Sequence, residues 1–106
     1  MIIVTSKSSN KIFVVKEYKE FLEELKRSNP KLYGQICNKI REIKRNPLNN
    51  NFKKLRLGKN YRRARLGKYR IIYFIEEKNI LITRIGHRKN VYKKEYTVKN
   101  FTINEF

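Results

Sequence analysis

Three arginines in the middle of the chain have the type and spacing needed to bind a phosphate. Arg63 and Arg65 lie two residues apart in a segment that alternates like a strand, so their side chains share one face. Arg70 begins the next predicted strand and lies close to Arg65 across a tight turn. Guanidinium groups match phosphate oxygens with paired hydrogen bonds and stay charged at any working pH. The spacing therefore predicts that three guanidiniums meet on one patch of sheet.

A second cluster, from Gly86 to Lys94, follows the last strand of the predicted meander. It combines one tyrosine and one histidine with several cations. Tyr92 is a phenol among basic residues, a setting in which it could accept a proton. His87 could also move protons, although a lone histidine is more often a packed or surface residue. We therefore include both among the candidate catalytic residues, together with Arg63, Arg65 and Arg70.

The charge of the chain predicts a polyanionic partner. Its 106 residues include 27 Lys and Arg against 9 acidic residues, which gives a formal net charge of +18. No acidic residue occurs between Glu42 and Glu76, whereas a solvated face normally mixes both signs. This asymmetry favours nucleic acid over a membrane surface or a protein. The predicted nucleic-acid-binding residues are Lys53, Lys54, Arg56, Lys59, Arg62, Lys68, Lys89, Lys93 and Lys94.

Composition excludes several classes of site. The chain has no Asp, a single His and a single Cys, so it cannot build a four-ligand zinc site, a Ser-His-Asp triad or an internal disulfide framework. The basic window holds no carboxylate, and we therefore expect no metal and no other cofactor. No apolar run approaches a membrane span, and the apolar start is too short for a signal-peptide core. We expect a soluble cytoplasmic protein.

Apolar periodicity predicts a helical hairpin near the start of the chain. A strand over residues 11–15 comes first, since this segment is rich in β-forming residues. Asn29 is suited to cap a second helix whose first residue is Pro30, and Asn46-Pro47 is suited to stop it. The apolar stripes of the two helices are Tyr18, Phe21, Leu22 and Leu25, then Leu32, Ile36, Ile40 and Ile43.

Three strands after the hairpin predict an antiparallel meander. They span residues 61–66, 69–75 and 80–85. Gly67-Lys68 and residues 76–79 form the turns, and the middle strand is the most apolar and is expected at the centre. A single domain over 1–106 would carry extensions at 1–10 and 95–106, with one further strand within the first ten residues and another over residues 95–103. The predicted fold is α+β, with one twisted sheet, two helices on one face and the other face open to a ligand.

Two motifs, in this order after two helices, resemble the RelE branch of the RelE/ParE toxin superfamily. Tyr61 to Tyr73, Tyr-Arg-Arg-Ala-Arg-Leu-Gly-Lys-Tyr-Arg-Ile-Ile-Tyr, is similar to the family run Tyr-Arg-x-Arg-x-Gly-x-Tyr-Arg-x-x-Tyr. Ile85 to Tyr92 is similar to the family's Gly-His-Arg with its closing Val-Tyr. The resemblance covers residues 11 to 94.

This resemblance implies a RelE-like fold and a toxin of a type II toxin–antitoxin pair. Such toxins cut messenger RNA in the ribosomal A site without a metal, since the message's own 2′-hydroxyl attacks the adjacent phosphorus. By position, Arg63 and Arg65 resemble the basic pair of the family's second strand, and Arg70 resembles the arginine that holds the phosphate. Arg88 resembles the arginine that assists the leaving group, and Tyr92 the tyrosine proposed as the base.

The resemblance also implies partners. We expect messenger RNA and the ribosome as targets. We also expect an acidic antitoxin that lies along the helical hairpin, covers part of the basic face and adds an element to the sheet. Two alternatives remain: a ParE-like poison of gyrase without nuclease activity, and a non-catalytic RNA-binding protein.

The chain departs from the family pattern in the strand that carries Arg63 and Arg65, where the best-known members have lysines and a longer hairpin follows. One extra residue separates Tyr61 from Arg65, so a bulge in this strand could change which arginine faces the site. From strand parity and the resemblance, we expect Arg63, Arg65, Arg70, Arg88 and Tyr92 to converge on one exposed concave surface of the sheet.

Overall fold

The order of elements along the chain is the predicted one, with two short strands added. The computed structural model describes residues 10–56, 60–92 and 103–106. The elements are β1 (Lys11–Val15), α1 (Lys16–Ser28), α2 (Pro30–Arg45), β2 (Lys53–Lys54), β3 (Tyr61–Leu66), β4 (Tyr69–Glu76), β5 (Asn79–His87) and β6 (Ile103–Glu105). The predicted α+β class, with an N-terminal strand, a helical hairpin and a meander, is confirmed.

The junction between the two helices forms as the local sequence predicts. The Asn29 side-chain oxygen accepts a hydrogen bond of 3.2 Å from the Leu32 backbone N–H, and Pro30 is the first residue of α2. This cap satisfies one backbone donor that the first turn of a helix leaves unpaired. The second helix ends at Arg45, directly before Asn46-Pro47. Within the described ranges, neither helix is long and apolar enough to cross a membrane.

The six strands of the sheet are ordered β2-β3-β4-β5-β1-β6. The meander strands pair antiparallel, whereas β1 lies parallel to β5 at the other side of the meander. Gly67 adopts a φ of 59° in the turn between β3 and β4, a conformation that glycine takes without strain. The turn between β4 and β5 is shorter than predicted, because Glu76 and Asn79 still pair across it.

Strand β6 closes the edge of the sheet by pairing antiparallel with β1. The strand predicted over 95–103 falls almost wholly on residues 93–102, which lie outside the described residues, and β6 begins at Ile103. The strand predicted within the first ten residues also lies outside the described residues. The two-residue strand β2 was not predicted, because two lysines carry no β-forming pattern.

The helices cover one face of the sheet and form the main core with it. Their apolar stripes meet the strand residues that alternate toward them, and Ala64 and Ile71 are fully buried there. The core residues from the helices and from the loop that follows them are Leu22, Ile36, Ile40, Ile43 and Phe52, and those from the strands are Ile12, Val14, Ala64, Ile71, Tyr73, Ile80, Ile82 and Ile85.

Tyr73 ties this core to the end of the helical hairpin and gives a first test of the fold. Its fully buried hydroxyl donates a 2.6 Å hydrogen bond to the Pro47 carbonyl, and burial raises the pKa of the phenol. Tyr73→Phe leaves that carbonyl without its donor, so we expect a loss of about 1 to 2 kcal/mol in unfolding free energy. Urea denaturation measures this, with Tyr69→Phe at a half-buried ring as the control. Equal urea midpoints for the two variants would contradict a stabilising hydrogen bond between Tyr73 and the Pro47 carbonyl.

Candidate nucleic-acid site

Strand parity places two of the predicted arginines on the face that the helices leave open. Ala64 is in the main core, so its neighbours Arg63 and Arg65 lie on the opposite face. In the register between β3 and β4, Arg65 pairs with Arg70 and Arg63 pairs with Ile72. Residues that pair directly across two strands share a face. Arg63, Arg65 and Arg70 therefore lie together on the open face of the sheet.

The bulge that the extra residue allowed in β3 does not occur. The register between β3 and β4 runs without a shift from Tyr61 opposite Phe74 to Leu66 opposite Tyr69. The irregularity lies instead between β4 and β5, where Ile72 pairs with Arg84 but Tyr73 pairs with Ile82. Arg63 and Arg65 therefore share one face of β3, as the sequence predicts.

Arg70 is buried, which differs from the exposed position expected for it. Only 6% of the residue is accessible, and its Nη1 donates to the carbonyls of Gly67 and Tyr69 at 2.9 and 2.8 Å. The guanidinium therefore folds back onto its own hairpin turn. These hydrogen bonds fix its position before any ligand arrives, which is the preorganisation that a phosphate-binding group needs.

Other predicted site residues lie close enough to act electrostatically on Arg70. Burial lowers the pKa of its guanidinium most, and the positive charges of Arg65, Arg63 and Arg88 lower it further. The nearby Tyr92 raises the pKa of the Arg70 guanidinium. An arginine remains cationic after such a shift, since its ordinary pKa is so high. The four arginines and Tyr92 therefore form one cluster, which we call the arginine patch.

The loop after β5 folds back over the open face and brings Arg88 and Tyr92 to the patch. The Arg88 N–H donates to the Lys68 carbonyl at 2.8 Å, which joins this loop to the turn between β3 and β4. The backbone N–H of Val91 donates to the His87 carbonyl at 2.9 Å, which closes a turn. Tyr92 follows directly and is 42% exposed.

Val91 anchors that loop on the sheet. Its buried side chain packs with Tyr61 and Ile72 in a second apolar cluster, on the face opposite the main core. Gly86 lies beneath it, and a Cβ at Gly86 would stand 3.6 Å from a Val91 methyl carbon, an ordinary contact. The sequence analysis did not select Val91 as a positioning residue, because a lone valine after a basic run carries no local signal of burial.

The contact between Gly86 and Val91 predicts how the loop can be displaced. Gly86→Ala fits, whereas Gly86→Val adds methyl groups against Val91 and should cost about 1 to 3 kcal/mol by overpacking. We expect Gly86→Val to lower RNA affinity, because Arg88 and Tyr92 move with the loop. Fluorescence titration with a short RNA and urea denaturation measure the two effects. Gly86→Ala is the matched control, and equal RNA affinity for both variants would argue against the anchor.

His87 is the candidate catalytic residue that lies outside the arginine patch. Its ring packs edge-on against Tyr69 with centroids 5.9 Å apart, and its Nδ1 accepts from the Lys89 N–H at 3.1 Å. The bulge explains its position. At the bulge between β4 and β5, β5 has one extra residue, Thr83. Ile80 and Ile82 face the main core, and the next residue to do so is Ile85 instead of residue 84. His87, two residues further on, therefore lies on the face opposite Arg70.

The predicted RNA-binding cations divide into three groups. The exposed ones are Lys53, Lys54, Arg56, Lys68 and Lys89. Lys59, Lys93 and Lys94 lie outside the described residues. Arg62 has a different position, since it is half-buried, alternates toward the helices and donates to the Phe52 carbonyl at 2.8 Å. The structure therefore does not bring Arg62 into the patch; this residue holds the loop after α2 against the sheet.

Arg84 is a further cation that the sequence analysis did not select. It is 9% exposed and in register with Ile72. Its charge opposes the rise that burial causes in the pKa of the Tyr61 phenol. No local pattern marks it, because its pairing with Ile72 depends on the bulge between β4 and β5.

Comparison with known proteins agrees with this fold. A sequence profile described as the ParE toxin of the type II toxin–antitoxin system parDE matches residues 14–92. No curated protein sequence gives a significant match. The fold resembles the YoeB–YefM complex from Staphylococcus aureus, with a TM-score of 0.60, 20% identity, 76% of this chain covered and 98% of that chain. It also resembles the RelB–RelE antitoxin–toxin complex from Methanococcus jannaschii, with a TM-score of 0.59 and 26% identity. The match covers 80% of this chain and 98% of that chain.

The matched region contains both helices, the meander and the arginine patch. The profile covers most of the chain and ends at Tyr92, the last residue of the patch. The two structural neighbours are similar in fold over 76% and 80% of this chain. The chain therefore belongs to the ParE toxin family of type II toxin–antitoxin systems, within the RelE/ParE superfamily.

Proposed function

We propose that this toxin cleaves messenger RNA in the ribosomal A site by a transesterification that needs no metal. The observation that carries the proposal is the buried, doubly hydrogen-bonded Arg70 with three other guanidiniums and Tyr92 in electrostatic reach. Such a cluster can hold one phosphodiester and neutralise the charge that develops on it.

The reaction begins with attack of the message's 2′-hydroxyl oxygen on the adjacent phosphorus. The phenolic oxygen of Tyr92 accepts the hydroxyl proton, and Arg70 stabilises the negative charge on the phosphorane oxygens. The bond from phosphorus to the 5′-oxygen then breaks. Arg88 stabilises that leaving oxygen, which gains a proton from water, and the hydroxide left behind takes back the proton that Tyr92 had accepted. The products are a 2′,3′-cyclic phosphate and a 5′-hydroxyl end, so atoms and charge balance without a cofactor.

The antitoxin is the second proposed partner. The two structural neighbours are complexes of toxins with the antitoxins YefM and RelB. The net charge of +18 favours an acidic partner, because it speeds encounter with a chain of opposite charge. A partner segment that orders on binding can cover a large surface, including the arginine patch.

A ParE-like action on gyrase is the alternative, and the family profile itself favours it. It would need the basic surface for a protein target and would leave Tyr92 without a chemical role. The position of Tyr92 beside Arg70 favours cleavage over this alternative.

One experiment separates these functions. The purified chain is incubated with translating ribosomes and the message ends are mapped, in parallel with a supercoiling assay of gyrase. Cuts inside the A-site codon with cyclic phosphate ends support the proposal. Gyrase inhibition with intact messages would overturn it in favour of the alternative, and ribosome binding with neither effect would indicate a non-catalytic RNA-binding protein.

The salt dependence of binding tests the role of the edge lysines. Lys53 pairs with Arg63 and shares the open face, whereas the adjacent Lys54 pairs with Arg62. Lys53→Ala should weaken ribosome binding modestly and reduce the slope of log affinity against log salt by about 1, as expected for one lost phosphate contact. Charge alone made both lysines candidates, but Lys54 shares the face of Arg62, so Lys54→Ala is the matched control. Titrations at four salt concentrations measure both slopes, and identical slopes would remove Lys53 from the interface.

A further inference from the structure

We propose that the loop between α2 and β2, residues 46–51, binds a nucleobase of a single-stranded RNA and gives the protein a preference for adenine. We call this segment the asparagine loop, because four of its six residues are Asn. The phosphates of the same RNA lie on the open face of the sheet. The identification of that RNA as the message beside its cleaved phosphate rests on the proposed function.

The asparagine loop leads into the strand beside the arginine patch. Lys53, the first residue of β2, pairs with Arg63 on the open face. Because β2 and β3 run antiparallel, the residues before Lys53 lie toward the Arg65 end of β3. The backbone of Asn51 therefore lies at the edge of the sheet next to the patch. An RNA strand that crosses the patch toward Lys53 passes this loop.

Hydrogen bonds hold the backbone of the asparagine loop in one shape. Near its start, the Tyr73 hydroxyl donates to the Pro47 carbonyl at 2.6 Å. At its end, the Arg62 guanidinium donates to the Phe52 carbonyl at 2.8 Å. The Phe52 N–H donates to the Asn49 carbonyl at 2.9 Å, which closes a turn inside the loop. The loop is therefore ordered before a ligand arrives, which lowers the entropic cost of binding.

The side chains that this backbone presents have the groups that recognise a base. Leu48 is 62% exposed, more than any other large apolar side chain in the described ranges. The Asn49 side-chain oxygen accepts from the Asn51 N–H at 2.8 Å, so this residue shapes the loop. The side chains of Asn50 and Asn51 are exposed, and no hydrogen bond within the described ranges uses their carboxamides. Two carboxamides and one apolar side chain are therefore available to a ligand.

The charge around the loop selects RNA over a protein partner. Residues 43–75, which include the loop, contain no acidic residue. Phosphates gain from such a surface, whereas the cores of protein interfaces are depleted in lysine. The cations directly before and after the loop and Phe52, all of them exposed, are Lys44, Arg45, Lys53 and Lys54.

The carboxamides favour adenine among the bases. A carboxamide oxygen accepts from the adenine N6 amino group while its N–H donates to a ring nitrogen, and adenine offers this pair on two edges. Single-stranded RNA leaves both edges open to a protein. Leu48 can cover one face of the base, which removes apolar surface from water whatever the base is. Asn50 and Asn51 therefore set the base preference, and Leu48 adds affinity without preference.

Equilibrium titrations with short fluorescent RNAs test the preference without a ribosome. The probes are hexaadenylate and hexauridylate with 2′-O-methyl groups, which cannot be cleaved by attack of a 2′-hydroxyl. The ratio of their two dissociation constants is compared between the wild type and the double variant Asn50→Ala with Asn51→Ala, so that differences between the free RNAs cancel. The preference for hexaadenylate should fall about fivefold in the variant, the lower end for loss of one paired contact to a base. Its urea midpoint should not change, because both side chains are exposed.

Two further variants separate base recognition from general contact. Gln35→Ala is the matched control, because it removes an exposed carboxamide from α2 about 15 Å before the end of that helix, and it should change neither affinity. Leu48→Ala should weaken the binding of both RNAs by the same factor, about threefold. An unchanged ratio in the double variant would overturn the proposal, and so would unchanged affinity of Leu48→Ala for both RNAs.

Message cleavage on ribosomes is scored separately, so that this proposal and the proposed function can fail independently. If the double variant cuts the same codons as the wild type with the same frequencies, the asparagine loop does not select the base, and the proposed function stands. If the wild type makes no cuts, the proposed function fails, while the titrations still decide the base preference.

Discussion

Replacing Arg70 by alanine is expected to lower the rate of message cleavage about 100- to 1000-fold, the usual loss when a preorganised charge at a developing oxyanion is removed. Arg70 is the one member of the arginine patch whose guanidinium is held by two carbonyl groups of its own turn. Its charge is therefore already in place when the phosphate binds. Single-turnover cleavage on programmed ribosomes measures the effect.

The burial of Arg70 adds a stability effect that must be separated from the catalytic one. Arg70→Ala leaves the Gly67 and Tyr69 carbonyls without this donor, so we expect an additional loss of about 1 to 3 kcal/mol in unfolding free energy. Urea denaturation of the same variant gives that loss, and cleavage is then measured well below the unfolding transition. Arg27→Ala, at an exposed position of α1, is the control and should change neither quantity appreciably. Cleavage by folded Arg70→Ala within tenfold of the wild-type rate would exclude Arg70 from transition-state stabilisation.

Replacing Tyr92 by phenylalanine is expected to reduce cleavage by a similar factor while ribosome binding stays nearly unchanged. Phenylalanine keeps the ring and loses only the oxygen that takes the 2′-hydroxyl proton. The side chain is 42% exposed, so the substitution should leave the fold intact. A fall in kcat with an unaltered dissociation constant is the signature of an interaction made in the transition state alone.

Tyr33→Phe is the control for Tyr92→Phe. Tyr33 lies on α2 and lines a cavity beside the helical hairpin, on the face of the sheet opposite the arginine patch, so its substitution should leave cleavage at the wild-type rate. If Tyr92→Phe also cleaves at the wild-type rate, Tyr92 is not the base. His87 would be a poor substitute, since its ring packs on Tyr69 on the side opposite Arg70. Arginine-assisted attack without a protein base would then be the better mechanism.

Those parts of the protein that depend on neighbouring residues could be predicted from the sequence. The cap at Asn29 with Pro30, the helix stop before Asn46-Pro47 and the two apolar stripes depend on contacts within a few residues. The shared face of Arg63 and Arg65 depends only on the period of a strand without a bulge. These local signals agree with one another, and they were enough to predict the α+β fold and most of the arginine patch.

The tertiary structure alone decided which candidates could act together. Arg70 is buried because its guanidinium finds carbonyl partners in a turn that only the packed sheet holds in place. His87 faces away from the patch because one extra residue at Thr83 reverses the alternation of β5, and a one-residue shift moves every later side chain to the other face. The pairing of β6 with β1 joins the two ends of the chain. Each of these outcomes depends on residues far apart in sequence, whose distances no local pattern contains.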